Sequence, residues 1–134
     1  MLTLHRRMFG DVWTWAGTQR GRVTNIGVEP RLIATQSRLT FDDAKYWHTQ
    51  EVFGPDERAA RIHCRLVSVH PFRNGNGRCT RMMADLYLFC IGAEPFGHFD
   101  ASWHHANRHI TQPNVLAGAL ASSFAPVALP TRNA

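Results

Sequence analysis

The chain has 134 residues, of which 44% are hydrophobic and 19% charged, and its four Trp and eight Phe argue against a disordered protein. This length fits one domain, and no apolar run approaches the roughly 20 residues of a membrane-spanning helix. Three cysteines without a CxxC pair indicate neither a disulfide framework nor a zinc knuckle, so a reducing cytoplasmic setting is expected.

The basic excess is carried almost entirely by arginine. The formal net charge is +5, and Lys45 is the one lysine among the 15 Lys and Arg residues. Arginine binds phosphate and carboxylate groups through planar, bidentate hydrogen bonds, which favours a nucleotide or a nucleic acid as partner. An arginine-rich proteome encoded by a GC-rich genome explains the same composition, and composition alone does not separate the two.

The first third of the chain mixes helical and irregular signals. Leu4 and Met8 lie at helical spacing and predict a helix over residues 2–9 that Gly10 ends. Residues 11–17 carry the signals of a second short segment, with a capping Asp at the start and a Gly at the end. Residues 22–34 combine β-branched residues with Asn, Gly and Pro, which predicts a small irregular hairpin.

Three longer helices follow. The first spans about 35–49; the second starts at Gly54-Pro55 and ends before Pro71; the third spans about 76–91. Their predicted apolar faces are Leu39, Ala44 and Trp47 in the first; Ala59, Ile62, His63, Leu66, Val67 and His70 in the second; and Met82, Met83, Leu86, Phe89 and Cys90 in the third.

The C-terminal part has a different composition. Residues 101–134 contain no acidic residue, and no capping signal defines a helix there. His105 and His109 have the i,i+4 spacing of metal ligands, with His104 beside them, but no third ligand is evident. We therefore treat this stretch as poorly specified and do not expect a metal site there.

The segment 70–78 carries the chemistry. Gly75 and Gly77 flank Asn76, so the backbone can approach a ligand closely and turn several N–H groups toward it at a helix N-terminus. Arg78 adds a bidentate phosphate donor, and His70 can accept a proton at neutral pH. An anion cradle beside a general base is what phosphoryl or nucleotidyl transfer requires.

Each of these residues also has a purely structural interpretation. His70 extends an apolar stripe and fits a hydrogen-bonded core histidine, and the same interpretation is the favoured one for His63. Arg81 has the i,i+4 spacing to pair with Asp85, and Arg73 is expected to point into solvent.

The sequence HPFRNGNGR at residues 70–78 resembles the Fic-domain motif HPFx(D/E)GN(G/K)R at every position but one. The upstream segments LHRRMFGDVWTWAGTQR and NIGVEP also resemble this family, in particular its members called mobile mystery protein B. The resemblance covers about residues 2–98 and implies an all-α, Fic-like helical bundle with a short β-hairpin flap. The expected core is 1–98, without the helix that usually precedes it in the family, followed by the poorly specified segment 99–134.

Fic enzymes transfer AMP from ATP to a Ser, Thr or Tyr hydroxyl of a target protein, and the resemblance implies that activity here. By the same resemblance His70 would be the general base, and Asn76 would reach the α-phosphate. The remaining implied roles are an anion hole at Gly75, Asn76 and Gly77; terminal-phosphate contacts from Arg78 and Arg81; structural support from Pro71 and Phe72; and a target-docking flap at Ile26, Gly27 and Val28.

Asn74 is the one departure from the motif, because the family has Asp or Glu at this position to help hold Mg²⁺. ATP and Mg²⁺ are the implied cofactors, and a neutral amide is a weaker ligand for a hard dication than a carboxylate. Low activity is therefore expected. The mobile mystery protein B members share this Asn, so the resemblance implies that Asn74 is a trait of that subfamily. The alternatives are a weak or inactive Fic remnant that binds nucleotide or protein, and a basic nucleic-acid-binding protein.

The resemblance also bears on regulation. Fic enzymes are commonly inhibited by a helix with an (S/T)xxxE(G/N) motif. None of the four glutamates, Glu29, Glu51, Glu57 and Glu94, lies in such a motif. The sequence thus predicts either a separate inhibitory protein, as in bacterial toxin–antitoxin pairs, or an activity too low to need one.

Overall fold

A computed structural model describes residues 1–96, and within this range the chain forms four α-helices and no β-strand. The helices are α1 (Leu2–Phe9), α2 (Ile33–Thr49), α3 (Pro55–Val69) and α4 (Asn76–Cys90), and a 3-10 helix, Pro30–Leu32, leads into α2. All four helices lie where the sequence predicts them. Among the described residues no helix has the length and apolar character needed to cross a bilayer.

The core forms where α3 packs against α4, with α2 covering α3. Pro55 lies in the first turn of α3 and is followed by Asp56 and Glu57, whose charges favour a helix N-terminus. Further along α3, Ile62 and Leu66 are completely buried. Burial of each such side chain contributes about 1.5–3 kcal/mol, so the α3–α4 contact holds the two ends of the motif loop together.

The buried face of α4 differs from the predicted one. Leu86 and Phe89 are exposed, at 38% and 66%, and Cys90 is only half-buried. Of the predicted set only Met83 is fully buried, and the face that packs inward is Cys79, Thr80, Met83, Ala84, Tyr87 and Leu88. This face has strict helical spacing but includes Thr and Ala, whereas the prediction followed the most apolar residues.

Smaller corrections apply to the first half of the chain. Leu39 is 48% exposed and does not anchor α2, whereas Ala44 is buried and Trp47 packs against the core as predicted. Residues 11–17 form turns instead of a second short helix.

The predicted β-hairpin over residues 22–34 is not formed as strands in the described part of the chain. The reason is that its backbone groups bond to other partners. The side chain of Arg20 donates to the carbonyl oxygens of Arg22 and Val28, and the Val28 N–H donates to the carbonyl of Val69 at 3.3 Å. The segment is thus fixed to the end of α3 and does not pair with itself. The predictions for the segment 99–134, including those for His104, His105 and His109, fall on residues that the structure does not describe.

The buried face of α3 includes His63, which is 4% exposed. Its Nδ1 lies 2.9 Å from the Thr80 hydroxyl oxygen. Burial, with a smaller effect from the charge of Arg81, lowers the pKa of His63 to about 3. The structural interpretation of His63 is therefore confirmed.

We expect the protein to lose stability in acid because of this histidine. In the unfolded chain the imidazole protonates near pH 6.5, so its contribution is complete above that pH and is lost as the pH falls toward 3. The free energy of unfolding should be about 2 kcal/mol lower at pH 5 than at pH 7.5 because of His63. Urea unfolding of the wild type and of His63→Gln at these two pH values measures the difference. The variant should show a smaller pH difference, and the control His70→Gln should keep most of it.

Candidate active site

A cleft of about 460 Å³ opens where α3 ends and α4 begins. Its walls contain all the phosphate-site residues predicted from the sequence, together with Arg73: His70, Arg73, Asn74, Gly75, Asn76, Gly77, Arg78 and Arg81. A larger cavity of about 630 Å³ lies at the other end of α4, next to Ile91, and contains none of them. The tertiary fold thus brings the motif residues together around one concave surface.

Gly75 and Asn76 shape the floor of the cleft. Gly75 precedes α4 with φ of 80°, and a Cβ atom at this position would lie 2.8 Å from the Phe9 ring, so only glycine fits. The buried amide of Asn76 accepts from the Phe72 N–H at 2.9 Å and donates to the Phe72 carbonyl at 2.8 Å. This pair of hydrogen bonds closes the loop and occupies the side chain that was expected to reach a phosphate.

The backbone of the first turn of α4 therefore offers the anion contacts. The N–H groups of residues 76–78 have no acceptor within the helix, and the partial positive charge of the helix N-terminus adds to them. Gly77 lines the cleft, and the nearest atom that a Cβ there would meet is 3.6 Å away, on the Arg81 side chain.

Asn74 stands at the rim, and its side chain is turned back onto the loop. Its Oδ1 accepts from the Gly75 N–H at 2.6 Å, and its backbone carbonyl lies 3.0 Å from Nε2 of His5. The cleft walls include no carboxylate, and the described residues contain no group of three or more His, Cys, Asp or Glu side chains able to hold a metal. This donor set fits an anion and does not fit Mg²⁺ held by the protein.

His70 ends α3 in the left-handed conformation, with φ of 53°, which is rare for a residue other than glycine. The side chain is half-buried. Burial and then the charge of Arg20 lower the pKa of His70, and a hydrogen bond to the backbone of Val67 opposes them. His70 is therefore neutral at pH 7 and able to accept a proton.

Arg20 keeps His70 in this conformation. The residue is 3% exposed, and its guanidinium donates from Nε to the His70 carbonyl at 2.6 Å and from Nη2 to the Val69 carbonyl at 3.4 Å. Its backbone N–H donates to the Pro71 carbonyl at 2.9 Å. A cation at the C-terminal end of a helix stabilises carbonyl groups that have no partner within the helix.

The predicted flap residues lie against the end of α3, at Val69 and His70. Gly27 has φ of 94°, and a Cβ atom there would come within 2.5 Å of the His70 Cβ. Val28 is fixed by the bonds described above, whereas Ile26 is 55% exposed. The flap is thus next to His70 even though it forms no strands.

His5 supports the loop from the opposite side. It is completely buried, accepts from the Gly17 N–H at Nδ1 (3.0 Å), and its ring stacks on Phe72 with centroids 3.7 Å apart. Burial lowers the pKa of His5, so its Nε2–H donates to the Asn74 carbonyl. Phe72 is itself fully buried, which agrees with its predicted structural role.

The cations of the cleft rest on the aromatic residues that surround His5. The Arg78 guanidinium lies 4.7 Å from the Phe9 ring centroid, and Arg73 lies 5.8 Å from that of Trp15. Arg81 is half-buried one turn further along α4, and Arg73 is exposed as predicted. Asp85, which the structural interpretation of Arg81 offered as its partner, accepts from the Phe96 N–H at 2.9 Å.

Sequence reasoning missed His5 and Arg20. The i,i+4 spacing of His5 and Phe9 on α1 is a signal that would have placed His5 on the buried face. Arg20 carries no such signal, because nothing in its sequence neighbourhood distinguishes it from Arg22. Together the residues of the cleft can hold a polyanion and accept a proton beside it.

Comparison with known proteins agrees with this geometry. The sequence model of the Fic/DOC family matches residues 1–88. The chain is 32% identical over 130 residues to protein adenylyltransferase fic-1 of Caenorhabditis elegans, covering 86% of this chain and 25% of that protein. It is 27% identical over 117 residues to protein adenylyltransferase VbhT of Bartonella schoenbuchensis, covering 81% and 23%.

A further relative is named for the transfer of UMP instead of AMP. A uridine 5'-monophosphate transferase of Xanthomonas campestris is 44% identical over 48 residues, covering 36% of this chain and 9% of that protein. The chain spans about a quarter of the length of the adenylyltransferases above.

We expect Arg20→Lys to destabilise the fold, because a lysine ammonium cannot reach four carbonyl groups at once. The loss should be about 1–3 kcal/mol in the free energy of unfolding, measured in urea. Arg22→Lys is the matched control, since Arg22 is exposed and should change stability by less than about 0.5 kcal/mol. Equal stabilities of the two variants would contradict the role assigned to Arg20.

Proposed function

The chain belongs to the Fic/DOC family, and from this premise we propose that it transfers AMP from ATP to a Ser, Thr or Tyr hydroxyl of a target protein. The observation that carries the proposal is the position of His70 on the wall of a cationic cleft at a helix N-terminus. Burial and the charge of Arg20 lower its pKa, which favours the free base. Protein adenylyltransferases among its relatives support AMP as the transferred group.

In the proposed reaction the hydroxyl oxygen of the target forms a bond to the α-phosphorus of ATP. The bond from that phosphorus to the oxygen bridging to the β-phosphate breaks, and pyrophosphate leaves. The proton of the hydroxyl passes to His70. The N–H groups of the first turn of α4 stabilise the charge on the α-phosphate, and Arg78 and Arg81 bind the terminal phosphates.

His70 suits this role because its environment disfavours the protonated imidazolium, which could not accept a proton from the target hydroxyl. Burial and the charge of Arg20 lower its pKa, so the free base predominates at neutral pH. Its conformation is held by Arg20, which means that the proton acceptor is positioned before substrate binds.

Mg²⁺ accompanies the nucleotide in the family pattern, but the described residues of this cleft do not fit it. Asn74 is uncharged, and its Oδ1 already accepts a hydrogen bond from Gly75. No step of the proposed reaction is therefore assigned to a metal held by this chain.

A second candidate function follows from the missing carboxylate. Without an acidic residue in the cleft walls, the chain would bind a nucleotide, or a protein, and transfer little or nothing.

The separate inhibitory protein stays a prediction from the sequence motifs.

We expect His70→Ala to lower transfer by about 10² to 10⁴-fold while nucleotide affinity stays nearly unchanged, because the base acts on the target hydroxyl. Incubation of the protein with a bacterial lysate and ATP labelled on the α-phosphate measures transfer, and titration calorimetry measures affinity. Labelled UTP in a parallel reaction tests for UMP transfer, which the uridine 5'-monophosphate transferase among the relatives raises as an alternative.

The control is His48→Ala, because His48 lines the other cavity. It should leave transfer intact. Nucleotide binding without transfer by the wild type would favour the second candidate function, and equal loss of binding and transfer in His70→Ala would make His70 structural.

We expect Asn74→Asp to make nucleotide binding depend on Mg²⁺. A carboxylate can keep the hydrogen bond to the Gly75 N–H with one oxygen and offer the other to the metal. Affinity for ATP, measured with Mg²⁺ and with EDTA, should differ more in the variant than in the wild type. Asn25→Asp, an exposed substitution of the same chemistry in the flap segment, is the control for the added charge. The same metal dependence in both variants would contradict the placement of residue 74 at the site.

A further inference from the structure

A second concave surface, which we call the arginine groove, lies beside the cleft. It has a volume of about 330 Å³ and is lined by Arg20, Arg22, Val23, Thr24 and Arg73. Arg73 lines the cleft as well, and Arg20 donates to the carbonyl oxygen of His70. The groove therefore adjoins the cleft at Arg73, and Arg20 links it to the backbone of His70.

The charges that line the groove are all of one sign. It contains three arginines and no acidic side chain. Arg20 is satisfied by backbone carbonyls, whereas Arg22 and Arg73 are exposed, and neither takes part in the three ion pairs found among residues 1–96. Two exposed guanidinium groups at one concavity form a site for carboxylate groups, which they bind in bidentate fashion.

The remaining walls indicate what carries those carboxylates. Val23 is 68% exposed, and nearby Ile26 is 55% exposed, so apolar surface adjoins the two arginines. No aromatic side chain on which a base could stack lines the groove, and its volume admits only a few side chains. An extended peptide segment fits this mixture better than a nucleic acid does.

We propose, resting on the proposed function, that the arginine groove selects targets in which acidic residues flank the modified hydroxyl. A carboxylate of the target would bind Arg22 and Arg73 while an adjacent apolar side chain contacts Val23. The hydroxyl next to it in the target chain then lies toward His70. Arg22 is thus a specificity-determining residue that takes no part in nucleotide binding.

The test measures peptide binding by the full chain without nucleotide, so it does not depend on transfer. The probes are fluorescein-labelled peptides with a central Thr flanked on both sides by Asp, and matched peptides with Asn or Lys in place of Asp. Fluorescence anisotropy should show tightest binding for the Asp peptide, weakening with added salt. Arg22→Gln and Arg73→Gln should each weaken it by roughly three- to tenfold, whereas Arg7→Gln, on an exposed position of α1, should not.

Arg22→Gln should in addition leave ATP affinity unchanged, which separates the groove from the cleft. Equal affinity for the Asp and Asn peptides, or equal losses in Arg22→Gln and Arg7→Gln, would overturn the proposal. Tighter binding of a random single-stranded DNA than of the Asp peptide would assign the groove to nucleic acid instead. Asp-dependent binding without label transfer would count against the proposed function alone, and transfer indifferent to Asp would count against the groove alone.

Discussion

Hydrogen bonds from the buried guanidinium of Arg20 to backbone carbonyl groups organise the site. The guanidinium joins three parts of the chain that are distant in sequence: the loop after Gly17, the flap segment through Arg22 and Val28, and the end of α3 through Val69 and His70. A buried cation without partners is very costly, and here carbonyl dipoles, including those at the C-terminal end of a helix, take the place of a counter-ion. Because its partners are backbone groups, Arg20 fixes where the chain runs and also the electrostatic environment of His70.

The opposite side of the motif loop depends on His5. A single neutral imidazole bonds to Gly17 at one nitrogen and to Asn74 at the other, and its ring stacks on Phe72. The desolvation that lowers the pKa of His5 is what keeps one nitrogen an acceptor and the other a donor. The loop is therefore held from two sides by His5 and Arg20, neither of which lines the cleft, and the anion contacts fall to the N–H groups of residues 76–78 in the first turn of α4.

The electrostatics of the cleft are one-sided. Three arginines and a helix N-terminus surround a histidine whose pKa is lowered, and no carboxylate balances them among the residues that line it. Such a site attracts phosphates strongly, but it gives up the charged metal ligand that the motif usually supplies. The same excess of arginine continues into the groove, where it faces the expected position of the target.

The helices and the motif can be read from the amino-acid sequence, because the signals that set them act within a few residues. Pro55, Pro71 and the glycines at 75 and 77 limit backbone conformations locally, so the bounds of α3 and α4 and the order helix, loop, helix could be predicted. Tertiary contacts, in contrast, set three features: the flap is not a hairpin, Arg20 and not Arg22 is buried, and α4 packs inward through Cys79, Thr80, Met83, Ala84, Tyr87 and Leu88. Those outcomes depend on partners that are distant in the sequence, 50 residues away for Arg20 and His70 and 17 for Thr80 and His63, and no local pattern encodes such partners.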